Sequence, residues 1–239
     1  MPRMSDHDLP TLLFVHGAYA ESASWTGVVQ RLPEFRSVAV ANPLRSVATD
    51  ADYLAQIIAG IEGRVLVIGH SYGGMVMSQG AARGDSVVGL VYVAGFAPAP
   101  GESAGDLAGK FPGGTLGETL VMFPLGEGVN DTFIDQAKFH RQFAEDLSDE
   151  DAAVLAVTQR PITDVALNEA SSGPQAWQSL PSWFVFGERD RNIPVASHRF
   201  MAERARARRT VEVPGASHVV GISHPDVVAD LVRTAATES

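Results

Sequence analysis

The sequence has no cysteine among its 239 residues. That excludes disulfide staples, thiolate nucleophiles and every metal site built on cysteine, while leaving the redox compartment open. Basic residues are scarce: 18 Lys and Arg stand against 28 Asp and Glu, a formal charge of -10 with a pI near 5.1. Phosphate-backbone binders show the opposite balance, so nucleic acid is not an expected partner. One basic cluster, Arg204, Arg206, Arg208 and Arg209, reads as the solvated last turn of a helix, where cations suit the dipole. No apolar run approaches the ~18 residues of a membrane span, and the longest, such as 87–94, have strand length. Residues 1–10 carry charges and two prolines but no apolar signal-peptide core. A cytoplasmic location without a membrane partner is expected.

What is present is the composition of a soluble globular protein, 45% hydrophobic and 19% charged. Area scaling predicts a folded surface of about 10,300 Å², with ~70% of the unfolded chain's surface buried, enough for one sizeable core. Six short runs are predominantly apolar: residues 11–16, 38–41, 65–69, 87–94, 183–186 and 211–213, the last holding Glu212. Strands of that kind are buried on both faces, the mark of a mainly parallel sheet covered by helices. Helical segments fit between them at 25–32, 53–61, 75–82 and 227–235, with Thr49 and Asp52 as a cap for the second and Ser223 opening the last. The alternation argues for an α/β doubly wound fold. From 97 to 181 no clear buried strand appears, but many prolines, glycines and phenylalanines do. Residues 146–158 look helical there, with Ser148 and Asp151 as their cap. The domain reading is therefore a core of 1–96 and 182–239 with a helical cap insertion at 97–181.

The strongest motif is Gly69-His70-Ser71-Tyr72-Gly73-Gly74, a G-x-S-x-G elbow entered by a buried strand and left by a helix. A serine on a sharp strand-to-helix turn needs small neighbours, which Gly69 and Gly73 supply, and the helix N-terminus behind it favours developing negative charge. A serine hydroxyl is a weak nucleophile and needs a base, which in turn needs an orienting acid, in the chain order serine, acid, histidine. Of seven histidines, His7 lies in the N-terminal tail, His16 and His70 precede the base's place in that order, His140 lies in the insertion and His198 sits inside a helix. His218, in the loop after the last strand, is the candidate base, with His224 as its rival. Asp190, a short loop beyond the strand at 183–186, is the candidate acid, with Glu188 as its rival. Both loops leave the carboxyl edge of the sheet, where open α/β sheets bind ligands. The backbone N–H groups of Ala18 and Tyr72 are the candidate oxyanion-hole donors, from the loop after the first strand and from the residue after the nucleophile.

These residues resemble those of the α/β-hydrolase superfamily over about 11–236. More narrowly, the chain is similar to small bacterial esterase-like hydrolases related to plant methylesterases and hydroxynitrile lyases. The resemblance rests on His16-Gly17-Ala18, the Ser71 elbow, Phe96-Ala97-Pro98, Arg160-Pro161, Asp190 with Ile193-Pro194, and Ser217-His218. It implies an eight-stranded sheet core with a helical cap, and no cofactor or metal. Hydroxynitrile lyases of this group carry a threonine after the first histidine and a lysine after the catalytic one, whereas Gly17 and Val219 stand here. Epoxide hydrolases and haloalkane dehalogenases use a carboxylate nucleophile, which Ser71 disfavours.

The expected activity is serine-dependent cleavage of a carboxylic ester or lactone through an acyl-enzyme, acting on a small molecule with an apolar or aromatic part. Phe111, Phe123, Phe133, Phe139 and Phe143, with Met122 and Trp177, are candidates either to line its pocket or to pack the cap. The chain is expected to be a monomer or homodimer. Two further readings share the motifs: cofactor-free lyase, oxygenase or perhydrolase chemistry, and a ligand receptor on a hydrolase scaffold.

Overall fold

The structure is a computed structural model that describes residues 9–239. The expectation about the N-terminal segment, His7 included, falls mainly on residues outside that range. Six strands form one fully parallel sheet: β1 (Thr11–Val15), β2 (Ser37–Val40), β3 (Val65–His70), β4 (Val87–Val93), β8 (Ser182–Gly187) and β9 (Arg209–Val213), in the order β2-β1-β3-β4-β8-β9. All six lie where the apolar runs predict them. The resemblance implied eight strands, and the described residues hold six in this sheet. The four central strands are buried nearly end to end, because helices cover both faces; the edge strands β2 and β9 are partly exposed. The accessible surface, 10528 Å², agrees with the scaling expectation.

The helices connecting these strands are α1 (Thr26–Val29, led in by a 3-10 turn), α2 (Val47–Ala59), α3 (Tyr72–Gly80), α8 (Val195–Arg204), α9 (Val220–Ser223) and α10 (Pro225–Glu238). Helices α1 and α10 pack together, as do α2 and α3. Two caps differ from expectation. Helix α2 starts earlier, with the Ser46 hydroxyl accepting from Thr49 N–H at 3.1 Å, and α10 starts with Pro225 at its first position, where its missing N–H costs nothing.

The insertion between β4 and β8 is not only helical. It contains α4 (Ala104–Gly109), α5 (Gln136–Phe143), α6 (Asp149–Thr158) and α7 (Asp164–Asn168), but also an antiparallel sheet of β5 (Leu120–Gly126), β6 (Val129–Ile134) and β7 (Ile162–Thr163). Its strands escape sequence patterning for physical reasons. β5 is exposed at six of its seven positions and carries Pro124, tolerated at a sheet edge, while β7 has two residues. The Ser148 cap of α6 stands as expected, its hydroxyl accepting from Asp151 N–H at 3.1 Å. Arg45 ties the core to the insertion through Asp131 at 2.7 Å and the Pro161 carbonyl at 2.9 Å.

Arg204 is not a solvated terminus. Its guanidinium donates to Glu102 and to the Ala97 carbonyl and covers the rings of Trp177 and Phe200. Among the described residues, no helix is long and apolar enough to cross a membrane.

Candidate active site

Strand β3 ends at His70, and Ser71 makes the turn into α3 with φ 51° and ψ -122°. A non-glycine residue held there stores conformational strain of about 1–3 kcal/mol, maintained by the surrounding structure. The close packing that enforces it explains the small neighbours. A Cβ on Gly73 would lie 2.3 Å from the Val15 carbonyl oxygen, and one on Gly17 would lie 2.6 Å from the Ser71 Cβ. The Gly17 loop therefore rests directly against the serine.

His218 lies in the loop between β9 and α9, its side chain buried. Its Nδ1–H donates to Asp190 Oδ2 at 2.7 Å, while Nε2 has no partner among the described residues. Asp190, fully enclosed just past β8, accepts four hydrogen bonds. Oδ1 takes the backbone N–H groups of Asn192 and Ile193 at 2.8 and 2.9 Å; Oδ2 takes His218 and, at 3.0 Å, the Nε2–H of His198. Burial alone would raise this carboxyl. The charge of His218 and the hydrogen bonds from both imidazoles outweigh it and hold Asp190 well below the usual carboxylate range. The rivals lie elsewhere: Glu188 accepts from Gly215 N–H at an exposed position, and His224 pairs with Ser223 and Asp146.

His198 went unrecognised in the sequence because it sits inside a helix. Helix α8 buries Ser197, His198, Met201 and Ala202, a one-sided spacing that was the available signal, and this face carries His198 back to Asp190. Its ring stacks on Phe186 at 4.7 Å, and burial holds its pKa below the ordinary value.

His16 has a definable job. Asn42 N–H donates to its Nε2 at 3.0 Å, so the neutral ring carries its proton on Nδ1, which donates to the Gly17 carbonyl at 2.9 Å. Gly17 C=O and Ala18 N–H belong to one planar peptide, so holding the oxygen fixes the N–H on the opposite side. Neither Ala18 N–H nor Tyr72 N–H has a protein acceptor among the described residues; the latter is an orphan donor at the start of α3.

Burial pushes His16 down to about 4, and burial together with the neighbouring His218 takes His70 to about 3. Both titrate near 6.5 in the unfolded chain, which therefore binds more protons below that pH than the folded one. Their stability contribution is complete above pH 6.5 and falls as the pH drops toward 4. Below pH 4 the loss of the Asp190 carboxylate acts in the same direction. The unfolding free energy is expected to decline steadily from pH 6.5 to 4, by up to about 1.4 kcal/mol per pH unit for each histidine, and the urea midpoint with it. A flat midpoint over that range would contradict neutral, buried imidazoles.

Ser71, Tyr72, Ala18 and His218 line one cavity of about 330 Å³, roofed by the insertion. Its wall has no Asp, Glu, Lys or Arg side chain. Of the aromatic candidates only Phe143 lines it, at 5.0 Å from the His218 ring. Phe139 is buried behind Phe143, Phe111 packs on Phe200, Phe123 meets Phe133 on the outside, Met122 is exposed, and the Trp177 Nε1–H is spent on the Pro98 carbonyl. The described residues contain no cluster of His, Asp and Glu placed to hold a metal.

The chain resembles known proteins over almost its whole length. An alpha/beta hydrolase of Aspergillus novofumigatus, nvfD, is 24% identical over 96% of this chain and 98% of its own. Polyneuridine aldehyde esterase superposes with a TM-score of 0.79 at 18% identity, covering 95% of this chain and 99% of that one. The methylesterase MES16 of Arabidopsis gives 0.77 at 16% identity, covering 97% and 100%. A pyrethroid hydrolase of Sphingobium faniae JZ-2 gives 0.73 at 20% identity, covering 95% and 97%. The profile of the alpha/beta hydrolase family matches residues 12–231, spanning the elbow, the acid loop and the histidine loop, and the chain belongs to that family.

Proposed function

We propose that the protein is a serine hydrolase that cleaves a carboxylic ester, lactones included, through an acyl-enzyme. The observation that carries this reading is the Asp190–His218 bond at 2.7 Å, which leaves an unpartnered Nε2 on the wall of the cavity that Ser71 also lines. With Nδ1 protonated and held by Asp190, Nε2 is the basic nitrogen and takes the Ser71 proton as Oγ adds to the ester carbonyl. The N–H groups of Ala18 and Tyr72 hold the oxyanion that develops. They are preorganised by His16 and by the start of α3, so little reorganisation is needed. His218 then protonates the departing alcohol, and a water activated by the same Nε2 releases the acid. The insertion acts as the cap that keeps this chemistry dry. The esterases and pyrethroid hydrolase of the same fold agree with ester cleavage as the reaction class.

The uncharged wall suits a neutral substrate. Helix α4 presents Ala104, Gly105, Ala108 and Gly109 to the cavity, leaving width for a bulky apolar group. Treatment with a fluorophosphonate is expected to give one adduct per chain, on Ser71, that His218→Ala abolishes. A folded parent that stays unlabelled would sink the proposal and favour a ligand receptor on this scaffold.

A further inference from the structure

The cavity wall carries a second orphaned nitrogen. Among the residues lining it, two have a buried side-chain N or O atom without a partner among the described residues: His218, through Nε2, and Asn192, through Nδ2. The first has its work in the reaction proposed above. The second has none.

The orientation of the Asn192 amide follows from its neighbours. Gln142 lies between the Thr115 hydroxyl, which donates to its Oε1 at 2.8 Å, and the Arg191 carbonyl, which accepts from its Nε2 at 3.0 Å. A carbonyl can only accept, so the Gln142 nitrogen must face it. The remaining N–H of that nitrogen donates at 2.9 Å to Asn192, whose facing atom is therefore Oδ1. Gln142 does not line the cavity. The amide is thus gripped by its oxygen, and its NH₂ group is left without a partner among the described residues, on a residue that lines the site. The same residue's backbone N–H is bonded to Asp190 at 2.8 Å, so this donor is anchored to the carboxylate that orients His218.

A buried amide donor left unpaired costs about as much as a lost hydrogen bond, and native structures rarely keep one without a use. We infer that Asn192 Nδ2–H₂ is a substrate-recognition donor, and that the substrate is an ester carrying a second, uncharged oxygen acceptor such as a ketone, ether or hydroxyl. This rests on the reading of Ser71 and His218 as the reacting groups. The acceptor is uncharged because no Lys or Arg lines the cavity to balance a carboxylate. A site built around such a donor discriminates by penalising the analogue that leaves it unpaired.

The test uses matched pairs of ethyl phenylalkanoates, one member with a ketone two, three or four carbons from the ester carbonyl and the other with a methylene in its place. Binding is measured by calorimetry to the Ser71→Ala protein, so the result does not depend on turnover. At least one keto ester is expected to bind about 10-fold or more tightly than its partner. Adding Asn192→Leu, or Asn192→Ala should the leucine variant fold poorly, is expected to bring that ratio close to one. Equal binding of every pair, binding of none, or a ratio that survives both substitutions would overturn the inference. Turnover of the same esters by the Ser71 protein separately tests the hydrolase reading, so the two can fail independently.

Discussion

Replacing Ser71 by alanine is expected to lower kcat/KM for any accepted ester by about 10⁴–10⁶-fold, with the folded structure retained. The size follows from the absence of a substitute. The other hydroxyls on the cavity wall belong to Tyr19 and Tyr72, and each is already engaged, with Thr132 at 2.9 Å and Asp50 at 3.0 Å. Burial raises both phenols far above their ordinary range, so neither supplies a phenolate near neutral pH. His218→Ala should cost a similar amount, because a serine without its base is a poor nucleophile. The double variant should be little worse than either single one, since the two groups act as a unit. Steady-state kinetics on a chromogenic ester decide the matter. A Ser71→Ala protein within 10-fold of the parent would place the chemistry elsewhere, as would penalties that multiply in the double variant.

Asp190→Asn is expected to reduce kcat by about 10⁴-fold, through the wrong tautomer and not through collapse of the site. The two backbone N–H groups at 2.8 and 2.9 Å require an oxygen at the Oδ1 position, which forces the amide nitrogen into the Oδ2 position. That nitrogen then donates where the carboxylate accepted from His218 and His198. His218 must move its proton to Nε2 to receive the bond, and a protonated Nε2 cannot take the Ser71 proton. The imidazolium formed in the reaction also loses its counter-charge. Because raising the pH does not restore the Nδ1–H tautomer, the variant's pH profile should stay low between pH 6 and 9. Recovery to parental rates in that range would show that Asp190 acts only as a charge.

How much of this was legible in the sequence differs from element to element. The four central parallel strands were readable because a strand buried on both faces must be apolar at nearly every position, and such runs stand out even when short; the partly exposed edge strands β2 and β9 left only short apolar traces. Ser71 was readable because an elbow tolerates only small neighbours, and close approaches such as Gly73 to Val15 impose that locally. Asp190 and His218 could be narrowed to one rival each by chain order and sheet edge, both consequences of strand topology. The β5-β6-β7 sheet was not readable. β5 is an exposed edge strand broken by Pro124, β7 has two residues, and β6 between them is half polar, so none carries the sequence pattern of a buried strand.

The sequence by itself determined the layered α/β core, the elbow and the acidic, cysteine-free character of the chain, since these depend on local sterics, hydrophobic periodicity and composition. Only the tertiary structure decided the rest. It bonded His218 to Asp190, turned one face of α8 so that His198 reached the same carboxylate, and removed all but Phe143 of the proposed phenylalanines from the cavity. It also left the Asn192 amide with one end held and one end free. Each of these depends on side chains distant in sequence meeting in a closed space, where a hydrogen bond is made or missed according to packing that no local pattern records.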